Sequence, residues 1–172
     1  MKPPAREPLS QAQRSAIHLE VRDQYASTDS DFHEWREGRR VFTPDNRADW
    51  WEGWHDIVHA AVSRGVAVRR ARVVSEPLTE YVRWEFDYAV TNRAAGEDVR
   101  WLPRRRAKDL AIPAVDFWVF DAELVLFHHF SGDGKLVERE YVTDTALATW
   151  CTKAFEAIWQ RATPHEEYKP VQ

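Results

Sequence analysis

The sequence predicts an α/β fold, a single domain whose mixed sheet is covered by helices. Three observations lead there. Apolar alternation at residues 17–21 and again at 66–75 is separated by helical patterns, the strand–helix–strand order that builds parallel pairs. A further helical stripe, residues 76–91, then leads into a short strand at 99–102. Last come three strand patterns, 117–120, 124–130 and 136–142, joined by turn residues and followed by a closing helix.

Each element has a local reason. Residues 1–9 read as a disordered lead and 10–16 as a short helical turn. Ile17, Leu19 and Val21 then alternate with His18, Glu20 and Arg22, the period of a strand with one buried face. Polar cap candidates at 27–30 open a short helix that Gly38 ends, and Pro44, Asp45 and Asn46 mark a loop. Trp51, Trp54, Ile57, Val58, Ala61 and Val62 form the apolar stripe of a helix that Asp49 caps and Gly65 stops. Pro77 suits the first turn of the next helix, where its missing N–H is not needed. The loop around Gly96 and Pro103 bound the 99–102 strand. Residues 121–123 close one hairpin, and the SGDGK run at 131–135 closes the next. Thr143 or Asp144 caps the final helix, with Leu147, Trp150, Cys151, Ala154, Phe155 and Ile158 as its stripe and Pro164 at its end. The domain is expected over 10–163, with 164–172 as a tail.

Composition excludes several function classes. A 172-residue chain with 44% hydrophobic and 30% charged residues has ordinary globular composition. The net charge of −4 disfavours direct nucleic-acid binding. Arg69, Arg70 and Arg72, like Arg104, Arg105 and Arg106, read as solvated clusters. One cysteine, Cys151, rules out an internal disulfide and falls on an apolar stripe, so it reads as a buried inert thiol. No signal-peptide pattern or long apolar run occurs, so no membrane partner and a cytoplasmic location are expected. Nine tryptophans against six glycines suggest indoles in a core and along a groove.

The segments VVSEPLTEYVRWE, AGEDVRWLPR and DFWVFD, in that order, resemble an actinobacterial family catalogued only as a domain of unknown function. The resemblance spans residues 17–162 and implies a helix-turn-helix regulator as a possible partner, because members are often encoded beside one. The carboxy-terminal hairpin, its acidic turn and the helix ending FEAIWQRA also resemble a half-unit of the phospholipase D-type fold. That fold's enzymes use H-x-K-x-x-x-x-D. Anchoring the aspartate on Asp121 puts Ala114 in place of the histidine nucleophile and Asp116 in place of the lysine. The resemblance therefore implies a fold without its catalytic pair.

Candidate ligand-binding residues are Arg72, Glu85, Arg100, Arg104, Asp116 and Trp118. Glu85 sits in the stripe Leu78, Tyr81, Val82, Tyr88, Ala89, where a carboxylate is costly to bury unpaired. Arg72, Arg100 or Arg104 could reach it. Glu97 and Asp98 read as turn caps. His55 and His59 have the i, i+4 spacing of a zinc pair but lack the glutamate of H-E-x-x-H, so a solvated pair flanking the stripe is expected. His128 and His129 are adjacent on a strand and point apart. No P-loop, dinucleotide fingerprint or G-x-S-x-G occurs, so no cofactor, catalytic residue or metal is assigned. Trp50, adjacent to Trp51, is expected to be partly exposed and to anchor a homodimer or partner interface. The expected function is a non-enzymatic binding module for a protein partner or small effector, with a transcription-regulatory circuit as its expected setting. The alternative is an enzyme acting on an anionic small molecule through Glu85, Asp116 and nearby arginines.

Overall fold

A computed structural model describes residues 5–26 and 30–171. The elements are α1 (Arg6–Gln11), β1 (Ser15–Glu20), α2 (Ser30–Arg36), α3 (Arg47–Trp50), α4 (Gly53–Ser63), β2 (Ala67–Val74), α5 (Glu80–Ala94), β3 (Asp98–Pro103), β4 (Asp116–Phe120), β5 (Leu124–Phe130), β6 (Leu136–Val142), α6 (Thr145–Arg161) and β7 (Thr163–Pro164). The strands form one seven-stranded sheet in the order β6-β5-β4-β1-β2-β3-β7. β1 and β3 lie parallel to β2, and the other pairs are antiparallel. This is the mixed α/β sheet the strand and helix order predicts.

The two parallel steps run the same way across the sheet, from β1 to β2 to β3. Crossovers of one hand therefore leave their helices on the same face. That face carries α4 and α5, and α6 covers the other. Period-two alternation sorts the side chains accordingly. Ile17, Leu19, Ala71, Val73, Leu102, Phe117, Val119 and Val125 pack against Cys151, Phe155, Ile158 and Trp159 of α6. The alternate residues face α4 and α5, and among them stand His18, Glu20, Arg70, Arg72 and Asp116, all but Arg70 buried.

Several expectations need correction. Residues 6–11 form a helix, because Leu9 and Ala5 fill the apolar cluster beneath α4. Tyr168 packs flat on Trp101, centroids 5.7 Å apart, which ties down the segment expected as a tail. Pro77 is not in a first helical turn: α5 starts at Glu80, with the Thr79 hydroxyl accepting the Val82 N–H. The helix expected from Asp49 is two, broken at Trp51, and Glu52 with His55 makes the cap of α4. Trp150 is 49% exposed, outside the α6 stripe. The cap candidates at 27–29 lie outside the described residues. Asp144, rather than Thr143, caps α6, its carboxylate accepting the Leu147 N–H at 2.8 Å.

Candidate functional site

Register builds a charged row across the middle of the sheet. Parallel pairing sets His18 beside Arg70 and Glu20 beside Arg72, and β3 continues these rows with Val99 and Trp101. Antiparallel pairing adds Trp118 beside His18, and His128 beside Asp116. α5 lies over this floor and presents Trp84, Glu85, Tyr88 and Asn92, with Trp54 entering from α4.

The charges inside are paired with one another. Arg72 bridges Glu85 and, at 3.5 Å, Glu20. Arg70 bonds Glu20 at 3.1 Å and Glu97 at 2.9 Å. The Tyr25 hydroxyl donates to Asp116, whose other oxygen accepts the Val21 N–H at 2.8 Å. Low dielectric strengthens such contacts and penalises any charge left alone.

That environment moves the titrations. Burial raises the Glu85 carboxyl to about 7 although Arg72 opposes it. Burial together with the Glu20 charge raises Asp116 to about 6. Burial acts on Glu20 too, but Arg72, His18 and Arg70 outweigh it and hold the carboxyl well below its ordinary range. Burial also lowers His18, which stacks on Trp118 with centroids 4.2 Å apart, and lowers His128 to about 4. Near neutral pH both imidazoles are therefore uncharged.

The predicted residues divide between this site and other places. Arg72, Glu85, Asp116 and Trp118 all sit on the α5 side of the sheet. Arg100 does not: it points to the α6 face, 4.2 Å above the Trp159 ring. Arg104 grips the strand ends instead, donating to the Val21 carbonyl at 2.6 Å, the Ser75 hydroxyl and the Val73 carbonyl. Trp50 is 4% exposed, its Nε1 donating to the Thr43 carbonyl and Asn46 at 3.0 Å each, so it offers no exposed anchor. His55 is buried and accepts the Glu52 N–H, whereas His59 is exposed. Glu97 is an internal ion-pair partner rather than a turn cap, and Arg70 and Arg72 are not solvated. Sequence reasoning missed His18, Glu20, Tyr25, Arg70 and Glu97. For His18, Glu20 and Arg70 the available signal was polar residues at alternate positions in otherwise apolar strands; Tyr25 and Glu97 lie outside the strands and carry no such signal.

Asp121 has a separate task. It starts the β4–β5 turn with φ 53°, followed by Ala122 at 60°, a conformation that aspartate tolerates better than most residues. Its carboxylate accepts the N–H groups of Gln13, Arg14 and Ser15 at 2.9, 2.7 and 2.9 Å, which fixes the start of β1. Among the described residues no cluster of three or more His, Cys, Asp or Glu is placed to hold a metal ion, and no helix is long and apolar enough to cross a membrane.

The fold is a single α/β domain with a seven-stranded mixed sheet, and its architecture is similar to that of phospholipase D-like folds. Over 93% of this chain and 87% of the other, it is similar to a phospholipase D family member, Nuc from Salmonella typhimurium, with TM-score 0.52 and 13% identity. NucT from Helicobacter pylori matches 93% of this chain and 87% of its own, with TM-score 0.47 and 11% identity. TrmBL2, an archaeal chromatin protein, matches 92% of this chain with TM-score 0.49 and 14% identity, and this chain spans 48% of that one. No curated protein matches by sequence. Residues 5–170 match the family described as a domain of unknown function, DUF6879, and the chain belongs to that family.

Proposed function

We propose that the chain is a non-catalytic cytoplasmic binding module that takes a small effector on the α5 side of its sheet and serves a regulatory circuit through a protein partner. The observation that carries this reading is the state of Asp116. By the H-x-K-x-x-x-x-D spacing anchored on Asp121 it stands where the motif has lysine, and Ala114 stands where it has the nucleophile. Ala114 carries no nucleophile, and Asp116, both of whose oxygens are engaged by Tyr25 and the Val21 N–H, supplies no cation for phosphate oxygens. The pairing of Arg70 with Glu20 and Glu97 supports the same reading, since all three nitrogens of that guanidinium are engaged within the chain and none is left to meet a phosphate. The test is hydrolysis of bis-p-nitrophenyl phosphate with and without divalent cations. No turnover above buffer is expected. Turnover that Glu85→Gln or Asp116→Asn abolishes overturns the reading.

One observation favours a second reading, an enzyme of unfamiliar type acting on an anionic small molecule. Asp116 and Glu85 both titrate within about a unit of neutrality, a property common in catalytic acids and bases. They line different cavities, however, Glu85 beside Trp84 and Trp54, and Asp116 beside Arg22 and Ala114. A pair acting on one substrate needs one cavity, which ranks this reading second.

A further inference from the structure

The cavity between α5, α4 and the sheet encloses about 190 Å³ and is walled by indoles, Trp54, Trp84 and Trp101, with Arg72 and Glu85 among its polar groups. Three buried nitrogens of residues that line it have no hydrogen-bond partner, Nε and Nη2 of Arg72 and Nε1 of Trp84, while Glu85 Oε2 is engaged only by its ion pair with Arg72. Buried donors are nearly always satisfied, so three on one cavity call for an acceptor from outside the chain. Nε and Nη2 form one edge of the guanidinium, the fork that meets both oxygens of a carboxylate.

We propose that this cavity binds a small aromatic carboxylate, its ring between the indoles and its oxygens on the Nε–Nη2 edge of Arg72. The inference rests on the effector-binding reading above and names the effector's chemistry. Size agrees: a cavity of about 150 Å³ holds a benzene ring, so this one holds a single substituted ring. The indole walls supply stacking faces for it.

The incoming charge must be compensated. Glu85 is faced by Arg72 and Arg70 from β2, Glu20 from β1 and Tyr25 from the segment after β1. Adding a carboxylate beside Glu85 and Glu20 strengthens the repulsion that already favours protonated Glu85, so binding takes up one proton there. Affinity then falls as pH rises above the Glu85 titration at about 7. From pH 6.5 to 8.5 the loss is about 25-fold, the ratio of protonated fractions for one group of that pKa.

The experiment is titration of the full chain with benzoate and with the neutral isostere benzamide, followed by tryptophan fluorescence and isothermal calorimetry at pH 6.5 and 8.5. Benzoate is expected to bind at least tenfold more tightly than benzamide at pH 6.5, with that affinity lost at pH 8.5. Glu85→Gln, neutral at every pH, should retain benzoate binding at pH 8.5. Arg72→Lys, which keeps the charge and removes the fork, should weaken it at least tenfold while circular dichroism shows the fold retained. Equal affinity for benzamide and benzoate, or no binding of benzoate at millimolar concentration by folded protein, overturns the carboxylate inference. Neither result produces phosphodiester turnover, the outcome that would overturn the non-catalytic reading itself.

Discussion

Arg72 and Glu85 form an ion pair between the inner strand β2 and the helix that covers it, their side chains 3% and 12% exposed. Arg72 also bridges Glu20, so one guanidinium contacts carboxylates from two different elements, and Arg70 supplies a second cation to Glu20. Such a cluster ties α5 to one register over the sheet. Its contribution lies in orientation, since desolvation offsets much of the attraction between buried charges.

The two partners should therefore differ when removed. Arg72→Ala leaves Glu85 without its ion-pair partner and Glu20 with Arg70 alone, and is expected to cost about 3–5 kcal/mol, the scale for removing one partner of a buried pair. Glu85→Gln removes a carboxyl that is already partly protonated at neutral pH and leaves Arg72 with Glu20, so it should cost clearly less. Urea melts of both variants at pH 7 measure this. A Glu85→Gln loss equal to that of Arg72→Ala contradicts the arrangement.

The pH dependence has a definite sign. Glu85 titrates near 7 when folded and 4.5 in the reference state, so the folded protein holds more protons between those values. Stability contributed by this group is present below pH 4.5 and is lost as pH rises toward 7. His128 acts oppositely: its folded value, about 4 against 6.5, means that stability is lost as pH falls from 6.5 toward 4. The clean readout is the difference between wild type and Glu85→Gln. Glu85→Gln should gain on wild type in denaturant midpoint from pH 5 to pH 8, and a difference that stays flat places Glu85 in solvent.

Arg100 belongs to another face, and energetics can show it. Its guanidinium lies over Trp159 and is separated from Glu85 by the sheet. Arg100→Ala should cost about 0.5–1 kcal/mol, the worth of a partly exposed cation–π contact. In a double-mutant cycle with Glu85→Gln the two changes should add within about 0.5 kcal/mol, as separated sites do. A coupling well above that would return Arg100 to the Glu85 site.

These contrasts mark what the sequence makes legible. Strand and helix order follows from periodicity, and β6 lies where Leu136–Val142 alternation and the SGDGK turn put it. The Glu85 expectation rests on a helix stripe, a local property, and the stripe faces the sheet. Partner choice is different. Arg72 and Arg100 both occupy β-strand positions with the same sequence character, and parity along each strand decides which face each takes. That parity is fixed by the register of β2 with β3, which pairs Arg72 with Trp101 and Ala71 with Arg100. Glu97 shows the same limit, because only the fold brings it to Arg70. Trp50 failed for a local reason: the break at Trp51 ends the preceding helix and turns Trp50 inward.

The positions aligned with H-x-K-x-x-x-x-D give a direct test of the proposed non-catalytic reading. Asp116→Lys restores the residue type that the H-x-K spacing calls for, but into a position 2% exposed. It removes the acceptor for the Tyr25 hydroxyl and the Val21 N–H and adds a cation near Arg72. A loss of about 3 kcal/mol or more is expected, from unsatisfied donors and a buried unpaired charge together. Thermal melts of Asp116→Lys and Asp116→Asn separate the terms, because asparagine keeps an acceptor and should lose only about 1–2 kcal/mol. An Asp116→Lys variant as stable as wild type would show that the site accommodates a cation.

Trp50 and Trp150 make the last pair, since sequence position suggested opposite roles for them. Trp50→Ala empties a packed aromatic cluster formed with Phe32, Phe42 and Trp84, and should cost about 3–5 kcal/mol. Trp50→Phe keeps the ring but drops the Nε1 donation to Thr43 and Asn46, a loss of about 1 kcal/mol. Trp150→Ala, on the exposed side of α6, should change stability by less than about 0.5 kcal/mol. Denaturant midpoints for the three variants, with light scattering at micromolar concentration, separate packing from association. A neutral Trp50→Ala that shifts only the oligomeric state would restore Trp50 as an interface residue. A full core-sized loss in an unchanged oligomer assigns it to packing.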